Sequence, residues 1–228
     1  MNDKLILNNA IPVNQQIYKV LRACIVECTI QPGTLLSEKE ISSQFNVSRQ
    51  PVREAFIKLA ENGLVRILPQ RGTFVCKISE KRVADGRFIR EAIESSIIRK
   101  AAEQVTDEQL LMLEHNLKRQ ALAAENNQSA EFLMLDDEFH HQLTVIAGCE
   151  LAWETIENIK AVMDRVRYLT LTEVSPPKEL IVQHYRILEA LQQRDPDAAE
   201  KAIQQHLEEM IYSVKPIAES HQEWFEDL

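Results

Sequence analysis

Two groups of residues in this chain have types and spacings that could do chemistry. The first is Arg49 and Arg53, four residues apart. On a helix that spacing puts both side chains on one face. A guanidinium presents a planar fork of donors, which pairs bidentately with guanine O6 and N7 or with a phosphate. The second group is Asp136 and His140, also four apart, with His184 and His206 further along. One carboxylate and three imidazoles on three helices could converge on a single cation. Such nitrogen-rich donors suit Zn, Ni, Mn or Fe, not Ca or Mg, and composition does not choose among the four. For any one histidine, an ordinary polar position near the core or surface is the simpler reading. His115, His141 and His221 are read that way.

The arginines need a rigid carrier, and the surrounding sequence supplies one. Ser37 precedes a short apolar-periodic segment with Glu40 three residues on, the pattern of a capping box. Ile41 and Phe45 share its inward face. Asn46 is suited to the left-handed turn that ends it. Ser48 is the expected cap of the next helix, and Pro51 is tolerated in a first turn. Val52, Ala55, Phe56 and Leu59 follow at helical spacing and form a buried face opposite the arginines. Gly63 ends this second helix. Leu64–Ile67 and Thr73–Val75 are β-prone runs around Pro69-Gln70-Arg71-Gly72, which predicts a hairpin with a basic tip. Two helices with a tight turn, paired arginines and a basic hairpin, in that order, describe a winged helix-turn-helix.

Charge distribution agrees. The chain of 228 residues carries a net charge of −9, yet residues 1–78 hold 10 Lys and Arg against 6 Asp and Glu. The rest is therefore strongly acidic. A basic head on an acidic body is the asymmetry of a DNA reader with a separate non-DNA domain. No apolar run approaches the ~20 residues of a membrane span, and no secretion signal is visible, so a soluble cytoplasmic protein is expected. The four cysteines Cys24, Cys28, Cys76 and Cys149 form no disulfide framework. Cys24 and Cys28, four apart on the expected first helix, are read as buried thiols.

The elements that must position the second group are helices. Val13 to about Glu27 is the first helix of the head. Beyond a short linker at Ile78-Ser79, helices are expected over Glu80–Glu103, from a second capping box at Thr106 and Gln109 to Glu125, and over Ser129–Ala147. Further helices are expected over Leu151–Leu171, Lys178–Arg194, and from the Asp195-Pro196 cap to Val214. A break falls at Ser175-Pro176-Pro177, and a polar tail with Trp224 and Phe225 closes the chain. The fold class is mainly α: a winged helix-turn-helix over residues 1–78, and an all-helical antiparallel bundle of six or seven helices over residues 79–228.

The run SEKEISSQFNVSRQPVREAFIKLAENGLV followed by PQRGTFV resembles the DNA-binding domain of the GntR family of bacterial transcription regulators. The resemblance implies that Lys39, Ser48, Arg49, Arg53 and the wing residues Arg71 and Gly72 contact operator DNA. Asp136-x-x-Phe139-His140, with HYRILEALQQRDPDAAEKAIQQHL from His184 to the run that closes with His206, is similar to the FCD ligand-binding domain of the FadR-like branch. Many members hold a divalent metal on an Asp and three His at these positions, and a small carboxylate effector completes the shell. The expected cofactor is thus a divalent metal, zinc foremost, with Ni, Mn or Fe also suited. The expected effector is a small carboxylate, a sugar acid; an acyl-CoA is not expected, because the regulator that names the branch lacks this His set. Where many members have Ser-Gly-Asn, this chain has Ala147-Gly148-Cys149.

Arg90 matches a frequent arginine of the domain's first helix. It could pair with the effector carboxylate or form a salt bridge with Glu94; Arg165 and Arg167 are further candidates. The expected partners are a pseudo-palindromic double-stranded operator, the carboxylate, and a second copy of the chain. The competing readings are a metal-dependent enzyme acting on a sugar acid and a regulator with a purely structural metal. Against the enzyme, no acid or base stands at fixed spacing beside the ligands, since Glu138 does not share their helix face.

Overall fold

The computed structural model describes residue 8, residues 10–174 and residues 177–226. Ser175 and Pro176 of the expected break lie outside the described residues, as do residues 1–7 and 9. The chain divides into two compact units, which are taken separately.

The first unit holds α1 (Val13–Val26), β1 (Leu35–Leu36), α2 (Glu38–Phe45), α3 (Arg49–Glu61), β2 (Val65–Leu68) and β3 (Gly72–Val75). The three strands form an antiparallel sheet in the order β1-β3-β2. Ile17, Leu21 and Ile25 of α1 are fully buried, as are Val52, Phe56 and Leu59 of α3. Asn46 adopts the left-handed conformation that lets α2 turn into α3.

Several local expectations are corrected. Ser37 Oγ accepts from Glu40 N at 3.3 Å, but the reciprocal half of the capping box is not formed. Ser48 stands at the N-cap without a side-chain cap bond. The short strand β1, unforeseen in the sequence, pairs with the wing. Cys28 lies beyond the end of α1 with φ 55°, so it does not share a helical face with Cys24. The polar tail turns through a short 3₁₀ segment, Gln222–Trp224, and Phe225 bridges in parallel to Ile78. Ile78 N donates to Trp224 O at 2.8 Å, and Ile78 O accepts from Glu226 N at 2.9 Å. Residues 221–226 thus pack with the first unit.

The second unit is the helical bundle. It comprises α4 (Glu80–Gln104), α5 (Asp107–Glu125), α6 (Ser129–Ile146), α7 (Glu150–Lys160), α8 (Asp164–Leu169), α9 (Pro177–Gln192) and α10 (Pro196–Ser220). The Thr106/Gln109 capping box is present in both halves. Its core gathers Ile98, Ala101, Leu113, Leu117, Phe139, Leu143, Ile187, Leu191, Ile203 and their neighbours from α4, α5, α6, α9 and α10.

Two helix expectations fail here. The segment read as one helix over Leu151–Leu171 breaks after Lys160, restarts as α8, and widens into a π-helical turn over Thr170–Val174. A π turn inserts an extra residue and redirects the faces of a helix, which hydrophobic periodicity does not report. The last helix runs through Pro216 to Ser220 rather than stopping at Val214. A proline removes one donor and favours a kink, but packing of the buried Ser213 and Ile217 carries the helix on.

Candidate metal centre and nucleic-acid interface

In the first unit, Lys39, Ser48, Arg49, Arg53, Arg71 and Gly72 are all exposed. Arg49 and Arg53 begin α3, opposite its buried face. The arginine fork of Arg53 is not loose: its Nε and Nη2 donate to the two carboxylate oxygens of Glu38 at 3.1 and 3.0 Å. The hydrogen bond to Arg53 lowers the Glu38 carboxyl against the smaller opposing effect of burial. Glu38, on the first turn of α2, was not foreseen. Arg71 stands at the tip of the β2–β3 hairpin, where Gln70 also has positive φ. Gly72 has φ +107°, and a Cβ there would lie 2.6 Å from Leu35 Cδ1. Glycine is thus needed by the turn itself, whatever it touches.

In the second unit, the structure brings Asp136, His140, His184 and His206 together, all buried, with one donor atom from each within 4.8 Å of the others. Among the described residues this is the one such cluster. Asp136 and His140 project from α6 among Phe132, Leu135, Phe139 and Leu143. His184 comes from α9 and stacks on Phe139, with ring centroids 4.8 Å apart. His206 comes from α10, beside the buried Ile203 and Leu207.

Each imidazole is oriented by its far nitrogen. His140 Nδ1 lies 2.5 Å from Glu94 Oε2. His184 Nδ1 lies 2.9 Å from Gln120 Oε1, and His206 Nδ1 3.0 Å from Gln183 Oε1. All three partners are acceptors, so each Nδ1–H donates and each Nε2 turns its lone pair inward. Oxygen acceptors behind ring N–H groups are the usual support of metal-binding histidines. Inside the cluster, His206 Nε2 is 3.2 Å from His140 Nε2 and 3.4 Å from His184 Nε2. Asp136 Oδ1 is 3.2 Å from His184 Nε2 and 4.0 Å from His140 Nε2.

Inward lone pairs at such separations repel unless a cation lies among them. Metal–nitrogen bonds of about 2.0–2.1 Å would set tetrahedral edges of about 3.3–3.4 Å. The shorter separations match that edge, while the 4.0 Å pair leaves the group more open than a closed tetrahedron. The donor set therefore fits a divalent transition metal with room for an outside ligand.

The electrostatics point the same way. Burial lowers the pKa of His184 against the pull of Asp136, and lowers that of His206 further, with His184 and His140 adding to the effect. Both rings are held neutral, the form that binds metals. Burial alone would raise the Asp136 carboxyl, but Arg167 and the histidines overcome it and hold the group well below the usual carboxylate range. Burial would likewise raise Glu94, but Arg90 and His140 bring it down to about 2. Arg167 bonds Asp136 Oδ2, leaving Oδ1 for the cluster, and reaches Asp164 at 2.8 Å and Asp137 at 3.0 Å. Buried Lys160 bridges Asp137 and Asp164 at 2.7 and 3.1 Å.

A cavity adjoins the cluster, with Asp136 and His206 in its wall together with Arg90 and Arg167. Arg90 is buried; its Nε donates to Glu94 Oε1, while its Nη2 has no partner. The two roles considered for Arg90 are thus compatible, since one edge of its fork pairs with Glu94 and the other is unpaired. Arg165 is buried but does not line this cavity. Glu138 pairs with Arg119 at 3.2 Å. His141 lies tilted against Trp153 with ring centroids 5.1 Å apart, and His221 stacks on Trp224.

Sequence reasoning missed Glu94 as a support of His140, and missed Gln120 and Gln183 altogether. A signal existed for two of them. Arg90 and Glu94 interrupt the buried stripe Val83, Gly86, Ile97, Ile98, Ala101 of α4, and Gln120 interrupts that of Leu113, Leu117, Ala123 on α5. Polar groups at core positions need partners.

A basic-faced winged helix ahead of an all-helical bundle defines a DNA-binding transcription regulator. Residues 13–75 match the bacterial regulatory proteins of the gntR family, and residues 87–209 match the FCD domain. The chain belongs to the gntR family, in the group that carries an FCD domain, and is a DNA-binding transcription regulator rather than an enzyme. It is 57% identical over 221 residues to the HTH-type transcriptional repressor RspR of Escherichia coli K12, covering 97% of each chain. It is 34% identical over 200 residues to the HTH-type transcriptional repressor NanR of Cronobacter sakazakii, covering 76% of this chain and 74% of that one. E. coli McbR/YncC shares the fold, with a TM-score of 0.76 at 19% identity over 94% of this chain and 99% of that one. Among the described residues no helix is long and apolar enough to cross a membrane.

Proposed function

We propose that the chain is a cytoplasmic repressor whose grip on its operator is set by a small carboxylate bound beside a divalent metal. Two copies read a pseudo-palindrome, each inserting α3 into the major groove, with half-sites about one helical turn apart. Ser48, Arg49 and Arg53 read bases and phosphates, Lys39 contacts the operator, and Arg71 at the wing tip reaches the minor groove or a flanking phosphate. Asp136, His140, His184 and His206 hold the metal, zinc foremost. When bound, the metal would supply the positive charge that draws a carboxylate oxygen. Arg90 pairs with the acid in the adjoining cavity through its unpaired Nη2. The sequence-based expectation of a sugar acid names the same head group. Acid binding favours one of two arrangements of the dimer and shifts the DNA-competent population.

One observation carries this reading: three imidazoles turned inward by acceptors on their outer nitrogens, beside a cavity lined by Arg90, whose buried Nη2 is unpaired. A purely structural metal would leave that donor with no purpose to offset its burial. The test is selection of genomic fragments by the purified, zinc-loaded protein at fixed moderate salt, with and without added organic acids. Enrichment of one short palindrome, lost on adding an acid, is expected. Only weak, sequence-independent binding under every condition would sink the proposal.

Two substitutions give sharper expectations. Glu94→Gln replaces the carboxylate behind His140 with a neutral amide. Metal affinity, read by competition with a chromogenic chelator, should fall about 10- to 100-fold; unchanged affinity would deny Glu94 its supporting role. Glu38→Ala should free the Arg53 fork. An exposed pair contributes little to stability, so the melting temperature should hardly move. The preference for operator over random DNA should fall by about tenfold as Arg53 loses its orientation, and an unchanged ratio would refute that role.

A further inference from the structure

We infer that the effector is a short monocarboxylate with an apolar body, such as an unbranched acid of three or four carbons, rather than a polyhydroxylated sugar acid. The inference rests on the effector reading above and concerns what lies behind the carboxylate. The wall away from the metal ligands is formed by Phe132, Leu133, Leu171, Leu180 and Leu207. It merges with a second core cluster in which Phe132 and Leu171 pack with Ala123, Leu135 and Ile181. A chain of hydroxyl groups placed against this wall would lose its water and find few replacements.

The polar groups available are few, and most are occupied. Asp136 and Arg167 bond each other, and His206 is held by Gln183. Thr170 Oγ1 donates its one proton to Val166 O at 2.7 Å and keeps only acceptor capacity. Beyond Arg90, that leaves Ser213 and Glu209, four apart on α10. A Glu209 carboxylate in this wall repels a second carboxylate on the ligand, which argues for a monoacid. The head of the ligand is well provided for, by Arg90 and the adjoining cation site; its body is not.

Size agrees. The cavity measures about 60 Å³. One water needs at least about 10–15 Å³ of such space, so the cavity is small, and a short acid fills it with less rearrangement of the wall than a longer polyhydroxylated one.

The experiment titrates the full-length, zinc-loaded protein with propionate, butyrate, succinate and gluconate, reading heat of binding and melting temperature. Propionate or butyrate should half-saturate at a concentration at least about tenfold below that for gluconate, because unpaired hydroxyls oppose burial. Arg90→Gln should abolish the butyrate response while zinc content stays at the wild-type level. Leu180→Gln, at a half-buried position, should weaken butyrate and not gluconate. Gluconate or succinate binding as tightly as butyrate would overturn the inference and leave the carboxylate-effector reading standing. A response to all acids that survives Arg90→Gln would overturn it as nonspecific. No response to any carboxylate would overturn the effector reading itself, and this inference with it.

Discussion

Replacing His184 with alanine is expected to release the metal. Four protein ligands share a binding free energy of about 10–16 kcal/mol in structural zinc sites, so one ligand is worth roughly a quarter of it, or about 2.5–4 kcal/mol. Affinity should fall on the order of a hundredfold or more. His184 is suited to this test because its Nε2 faces both Asp136 Oδ1 at 3.2 Å and His206 Nε2 at 3.4 Å. The measurement is metal content per chain after gel filtration, followed by chelator competition. Stability should follow by mass action: a metal at a thousand times its Kd adds about 4 kcal/mol to the folded state. Chelation should therefore lower the melting temperature of the wild type and lower that of His184→Ala much less, since a hundredfold weaker site at the same metal concentration adds only about 1.4 kcal/mol. His141→Ala, at a half-buried ring beside Trp153, is the control and should retain metal. A His184→Ala protein that keeps full metal affinity would refute the centre.

Removing either recognition arginine is expected to cost about 1–3 kcal/mol of operator affinity if it reads a base. Arg49→Ala and Arg53→Ala are compared on operator and random DNA across a salt series. A base contact shows as relaxed specificity at one position of the site. A phosphate contact shows as equal weakening on both DNAs, with the salt slope reduced by about one. Arg53 should be the more specific reader, because Glu38 already holds its fork with two bonds. Neither substitution should alter folding, since both side chains are exposed and stand opposite the buried face of α3. Wild-type operator affinity in both variants would remove α3 from the interface.

What the sequence determined by itself is what local physics determines. The αL turn at Asn46, the Thr106/Gln109 cap and the wing hairpin each depend on a few neighbouring residues, and all are present. The four-residue spacing put Asp136 and His140 on one face of α6 for the same reason. Even the arginine pair of α3 follows from helical period and the identity of the buried residues. The boundaries that failed were those where local preference meets a tertiary demand: the break at residues 161–163 with its π turn, and the helix that continues through Pro216.

Only the tertiary structure decided what surrounds the centre. Glu94 lies 46 residues from His140, and Gln120 lies 64 from His184. Contacts at such separations leave no periodic trace, because many packings of the same amphipathic helices satisfy the same hydrophobic pattern. The pairing of Arg167 with Asp136, which leaves one carboxylate oxygen for the cluster, depends on α8 starting anew after the break that follows Lys160. The apolar wall of the cavity depends on leucines from α6, α9, α10 and the π turn meeting beside Arg90. The donors could be read in the chain, but the lining that selects the ligand's body exists only where distant helices pack.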